Sequence, residues 1–191
     1  MYTVYVGNIH LDKGFPFRVQ NISIHEKYIT RLHYHDIALL TLSEEILSPV
    51  FAHICLPPPK IAAMDLSGRN TTVLGWGHTE FESTITPTLH ILEDIPVVPT
   101  EECRRIYSKI YDRSISSGIT EDFICAGLPK GGKDACQSDS GGPLMYKNNY
   151  QNPPFYHSDI PWILVGIASF GFLCGEPGYP GVYTRVSNYM D

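Results

Sequence analysis

The run Lys133-Asp134-Ala135-Cys136-Gln137-Ser138-Asp139-Ser140-Gly141-Gly142-Pro143 constrains this chain more than any other stretch. An acid and a serine followed by paired glycines call for a tight turn, because glycine takes positive φ and lets backbones approach closely. Pro143-Leu144-Met145 then enters a strand. A serine on such a turn keeps its hydroxyl exposed, as nucleophilic catalysis requires.

The bulk properties narrow the frame around that turn. At 191 residues the chain holds one all-β domain or two small ones. A hydrophobic fraction of 43% with 18% charged residues is globular rather than disordered. The net charge of −6 argues against nucleic acid or an anionic membrane as main partner. Trp162 to Cys174, the longest apolar run, is too short and too broken by Gly and Ser to cross a bilayer. Met1 to Gly7 lacks the basic and apolar regions of a signal peptide and reads as a strand, as if the chain began partway through a fold. Five cysteines imply an oxidising compartment with one thiol left over. The sequons Asn21-Ile22-Ser23 and Asn70-Thr71-Thr72 fit a secreted glycoprotein.

In chain order, Tyr2–Val6 and Phe17–Ile24 read as strands. The apolar run after Asp36 (Ile37-Ala38-Leu39-Leu40) predicts a buried strand with the acid at its mouth. Cys55-Leu56-Pro57-Pro58-Pro59 opens a stiff, extended linker reaching about Asn70. Thr72–Gly77, Leu89–Val98, Phe123–Gly127, Trp162–Gly171 and Gly178–Val186 supply further strands and their approaches. Thr100–Tyr107 is the convincing helix, with Thr100 as its cap and Glu101 and Glu102 at its positive end. Tyr146 to Pro161 is a polar excursion. No spacing suits a metal, and Gly7–Gly14 holds a single acid, Asp12, so neither calcium nor any other cofactor is expected.

The Ser140 loop resembles the nucleophile loop of the chymotrypsin/trypsin-like serine endopeptidases, and the likeness runs from about Tyr2 to the C-terminus. The resemblance implies an all-β fold of two antiparallel six-stranded barrels, the first incomplete here, with one short helix in the second. Residues 1–55 would form the partial first barrel, 56–70 the linker, and 71–191 the second barrel with the nucleophile loop. It makes Ser140 the nucleophile and Asp36 the acid that orients an imidazole. The N–H groups of Ser138 and Ser140 would form the oxyanion hole. Asp134 would sit at the base of the primary specificity pocket, with Gly171 and Gly181 as its open walls, selecting Arg or Lys. Ser169 would lie on the strand that pairs with the substrate backbone. Asp139 would receive the new N-terminus of an activated zymogen.

By the same resemblance Cys103 bridges to Cys125 and Cys136 to Cys174. Cys55 either links to a separate N-terminal segment or stays a buried thiol. Thr71 and Tyr146 occupy the two ends of a family bridge that this chain lacks.

Three departures qualify the match. The chain as given supplies no Ile or Val N-terminus to pair with Asp139. None of the eight histidines lies in the Ala-Ala-His-Cys-like strand end that carries the family's general base, and Ser138 stands where the family has glycine. The reading is therefore a secreted, trypsin-like serine endopeptidase working through an acyl-enzyme on Arg/Lys bonds of proteins. The chain as given is expected to be inactive by itself, its histidine lying upstream. The alternative is a non-catalytic homologue that binds a regulatory partner through the same cleft. A blander option is a truncated chain whose open strand edges prevent stable folding. Neither a nucleic acid partner nor a membrane span is expected.

Overall fold

The computed structural model describes residues 2–47, 51–77, 86–132, 139–148, 162–173 and 175–190. Its strands are β1 (Thr3–Val6), β2 (Phe15–Ile24), β3 (Ala38–Leu42), β4 (Asn70–Gly75), β5 (His90–Val98), β6 (Phe123–Ala126), β7 (Pro143–Lys147), β8 (Trp162–Phe170) and β9 (Gly181–Arg185). Helices α1 (Pro59–Ala62) and α2 (Thr100–Tyr107) join short 3-10 turns at Arg113–Ile115 and Val186–Tyr189. The protein is mostly β, in keeping with the trypsin-like fold.

β4 to β9 close into a six-stranded antiparallel barrel in the order β4-β5-β6-β9-β8-β7. Closure leaves no unpaired edge. Inward-facing residues fill it: Val73, Ile95, Ile124, Leu144, Ile163 and Tyr183 are all buried. Gly166 has no side chain because one would crowd Tyr183, Ile124 and Leu144 at 2.9–3.2 Å. A second cluster joins α2 to the barrel wall through Cys103, Tyr107, Phe123 and Val182. Cys103 and Cys125 form a disulfide within it.

The N-terminal part is a three-stranded antiparallel sheet, β1-β2-β3. Here the sequence misleads. β3 was expected to be buried, yet Leu39 is 71% and Leu40 52% exposed. Neighbouring strand residues face opposite sides, so both faces of β3 are open. Three strands cannot wrap around a core as the six-stranded barrel does, and hydrophobicity alone does not report whether a sheet closes.

Two smaller expectations also change. The Pro57-Pro58-Pro59 run does not stay extended: Pro59 starts the turn α1 from its first position, where a missing N–H costs nothing. Ile61 from that turn plugs into the barrel core. Thr100 is the first residue of α2 rather than its cap; Pro99 occupies the cap position and no side chain closes it. The Thr100 hydroxyl instead accepts from Arg185 Nη2 at 3.4 Å.

Candidate active site

The nucleophile turn is built by hydrogen bonds at both ends. Gly142 N–H donates to Asp139 O at 2.8 Å, closing a four-residue turn with Ser140 second and Gly141 third. Gly141 has φ of +83°, the third-position value of a type II turn, which an L side chain adopts only with strain. Gly142 is excluded from growing by Asp139 O and Leu74 O, 2.8 and 3.1 Å from where its Cβ would lie. Ser140 therefore sits at the crest of a turn that only glycines can complete.

The turn is then pinned to the end of β8. Gly141 N–H donates to Ala168 O at 2.8 Å, and Ala168 N–H returns a bond to Gly142 O at 2.9 Å. The next residue, Ser169, donates its hydroxyl to Asp36 Oδ2 at 2.7 Å. Two consecutive residues of one strand thus hold the Ser140 turn and Asp36. Asp36 is fixed from a second side as well, since Thr184 Oγ1 on β9 donates to its backbone carbonyl at 2.8 Å.

Asp139 points away from Ser140, into Gly75-Trp76-Gly77. Its Oδ1 accepts from Gly77 N–H at 2.8 Å. A Cβ on either Gly75 or Gly77 would overlap this carboxylate. The glycines flanking Trp76 are thus a cradle for Asp139, a role that the strand reading of this segment did not suggest.

The histidines beside Asp36 are occupied elsewhere. His33 lies flat on Phe170, with ring centroids 4.3 Å apart. Burial lowers its pKa below the ordinary value of 6.5, against the opposing pull of Asp36 and Asp112. His35 has φ of +53°. Its Nδ1 lies 3.0 Å from the Tyr189 hydroxyl, and its ring stacks on His25 at 5.0 Å. Burial first, then Asp122 and Asp36, push the Tyr189 phenol up to about 12. The phenol therefore keeps its proton at neutral pH where it meets the His35 ring.

Tyr34 fastens the same loop to the segment after α2. Its hydroxyl donates to Gly118 O at 3.1 Å and accepts from Ser117 N–H at 2.7 Å. Phe170 in turn meets Tyr107 and Phe123 edge-on. Nothing in the local pattern around Tyr34 or Phe170 announces these contacts, which join residues far apart in the chain.

Of the pocket residues, Gly181 is buried at the start of β9 and Gly171 is exposed just beyond β8. Cys55 lies alongside β8, its N–H on Trp162 O at 3.2 Å and its carbonyl accepting from Leu164 N–H at 2.9 Å. Asp134, Ser138, Cys136 and Cys174 lie outside the described residues. Among the described residues no group of three or more His, Cys, Asp or Glu side chains is gathered as metal ligands. No described helix is long and apolar enough to cross a membrane.

Comparison with known proteins agrees with this geometry. The trypsin family model matches residues 1–191. The clotting factor G beta subunit of Tachypleus tridentatus is 40% identical over 190 residues, covering 98% of this chain and 59% of that protein. The proclotting enzyme of the same organism is 38% identical over 178 residues, covering 92% of this chain and 43% of that one. A venom protease of Bombus pensylvanicus is 35% identical over 199 residues, covering all of this chain and 74% of that protein. The chain thus spans about half the length of the first two relatives. With a match along its whole length and a glycine-built serine turn tied through β8 to an aspartate, the chain belongs to the trypsin family of serine proteases.

Proposed function

We propose that this chain carries the nucleophile half of a serine endopeptidase that cuts after Arg or Lys. The observation that carries the reading is the end of β8: Ala168 holds the Ser140 turn and Ser169 holds Asp36. In this mechanism Ser140 Oγ attacks the scissile carbonyl while an imidazole from elsewhere in the protein takes its proton. Asp36 keeps that imidazole in the right tautomer and stabilises its charged form. The N–H groups of Ser138 and Ser140 receive the developing oxyanion. The imidazolium then protonates the leaving amine, and water releases the acyl group by the reverse sequence.

Asp134 sets specificity by pairing with a substrate Arg or Lys, because a pocketed carboxylate is costly without a cation. The partners are protein substrates and, through Cys55, an N-terminal segment. The chain divides at the 56–70 linker into the sheet unit and the barrel unit. Relatives named for clotting and venom support a secreted zymogen whose new N-terminus pairs with Asp139.

The test is covalent labelling. A fluorophosphonate probe applied to the activated longer protein should modify Ser140, and Arg-ester turnover should vanish in Ser140→Ala. A correctly folded, activated protein that neither labels nor turns over would favour a non-catalytic homologue, for which Ser138 in place of glycine is the supporting residue.

A further inference from the structure

On the barrel wall, away from the Ser140 turn, a polar groove of about 520 Å³ is lined by Arg69, Asn70, Glu93, Asp94, Lys147 and Trp162 among others. Its size lies in the range that takes small organic ligands. Its chemistry is that of a carbohydrate bed: one indole, two cations and two carboxylates, with Lys147 Nζ 5.6 Å from the centre of the Trp162 ring. Hydroxyl groups of a sugar accept hydrogen bonds from the cations and donate them to the carboxylates, and its C–H face packs on an aromatic ring.

Asn70 is itself the acceptor residue of the sequon Asn70-Thr71-Thr72. It is exposed as the first residue of β4 and stands in the groove wall. We propose that Asn70 is N-glycosylated and that the first sugars of its glycan lie in this groove against Trp162. The proposal rests on the secretory route inferred above, and names a site on it.

The step is ordinary group transfer. Asn70 Nδ2 forms a bond to the anomeric carbon of a lipid-diphosphate-linked oligosaccharide. The bond from that carbon to the diphosphate oxygen breaks, the lipid diphosphate leaves, and Nδ2 gives up one proton. The second Nδ2 proton remains, so the bond from Nδ2 to Asp94 Oδ1, 3.0 Å long, survives the modification. Thr72 is read while the chain is still extended. It is buried afterwards, 5% exposed, without disturbing Asn70.

The other sequon supplies an internal comparison. Asn21 lies within β2 and turns its amide back on Ser23 Oγ at 3.1 Å.

The experiment directs the full chain through the secretory pathway of insect cells, so its outcome does not depend on the native localisation. Peptide mass spectrometry after amidase release in heavy-oxygen water should find Asn70 converted to labelled aspartate, and Asn70→Gln should lose one glycan. Native-state release at Asn70 should quicken by about tenfold in Trp162→Ala, the effect of removing a contact of about 1.4 kcal/mol. Because that variant could fail to be secreted, acrylamide quenching of tryptophan is measured on the unaltered chain. It should rise when the Asn70 glycan is removed and stay constant in Asn70→Gln. An unoccupied Asn70 in a secreted, folded chain would overturn the site. An occupied Asn70 with unchanged quenching would overturn the groove. Neither result touches the protease reading, which the Ser140 label tests separately.

Discussion

Ser169 Oγ donates to Asp36 Oδ2 across 2.7 Å, joining the end of strand β8 to a loop 133 residues earlier in the chain. Asp36 can orient an imidazole only if its own carboxylate is held still, and this hydroxyl holds one oxygen while leaving the other to a partner. Ser169→Ala removes a hydrogen bond to a charged group, an interaction of about 1.5–3 kcal/mol. In the activated longer protein kcat/KM should fall by roughly tenfold or more. Steady-state kinetics on an Arg ester checks this, and an unchanged kcat/KM would remove Ser169 from the positioning of Asp36.

Gly141 should be the least replaceable residue of the serine turn. At φ of +83° an alanine adopts a left-handed conformation that costs about 1–2 kcal/mol. Relief of that strain requires breaking the bonds to Ala168 or Asp139 that aim Ser140. Gly141→Ala should therefore lower the urea midpoint and, in the activated protein, kcat by more than the stability loss predicts. Gly68, at φ of +73° with open space around it, is the control: its alanine variant carries the strain without the loss of turnover.

The contrast between those two glycines shows what a sequence conveys. Asp139-Ser140-Gly141-Gly142 is legible because turn chemistry is local: the residues that need positive φ and those that supply it are adjacent. The barrel strands are legible for the same reason, each carrying its own apolar pattern. Residues whose meaning depends on distant partners are not. Gly75 and Gly77 read as part of a strand, yet their lack of side chains is set by Asp139 on another element. Leu39 and Leu40 read as core, yet their exposure depends on how many strands surround them. Thr100 reads as a cap, and is taken up by Arg185 on β9.

His33 and Tyr189 should give the fold opposite sensitivities at the two ends of the pH scale. Burial against Phe170 holds the His33 pKa below its ordinary value in the folded chain, while the unfolded ring takes a proton near 6.5. Its contribution to stability is complete above 6.5 and is lost as pH falls through the lower folded value. His33→Phe keeps a ring on Phe170 and should flatten the decline in unfolding free energy between neutral and mildly acidic pH. For Tyr189 the sign reverses. The folded phenol holds its proton up to about 12, whereas an unfolded tyrosine loses it near 10. Stability from this group is complete below 10 and lost as pH rises towards 12. Absorbance at the phenolate band should show a late-ionising tyrosine that Tyr189→Phe deletes.

The Cys103–Cys125 disulfide closes a segment with a sequence separation of 22 and lies in the cluster that fixes α2 to β6. Loop-closure entropy for such a segment is worth about 3 kcal/mol. Replacing both cysteines by alanine should lower unfolding free energy by about that amount in a denaturant titration. A much smaller loss would mean that burial of Tyr107 and Phe123 holds α2 by itself.

Asp139 carries the most specific consequence for activation. Its carboxylate is already anchored by Gly77 N–H at 2.8 Å, with Gly75 and Gly77 shaped around it. An incoming N-terminal ammonium would therefore meet a carboxylate already held in place by the cradle. Asp139→Asn preserves size and can still accept from Gly77 through its amide oxygen, but presents an uncharged group to the ammonium. The unactivated protein should accordingly lose little stability. After activation the variant leaves a desolvated ammonium without its counter-charge, a loss of roughly 3–5 kcal/mol. Turnover should fall by a factor of roughly a hundred or more, with KM for an Arg ester rising as the competent fraction drops. Chemical acetylation of the new N-terminus in the unaltered protein should reproduce the defect, and should add nothing in Asp139→Asn. If Asp139→Asn activates normally, the cradle formed by Gly75 and Gly77 serves folding alone, and the ammonium is received elsewhere.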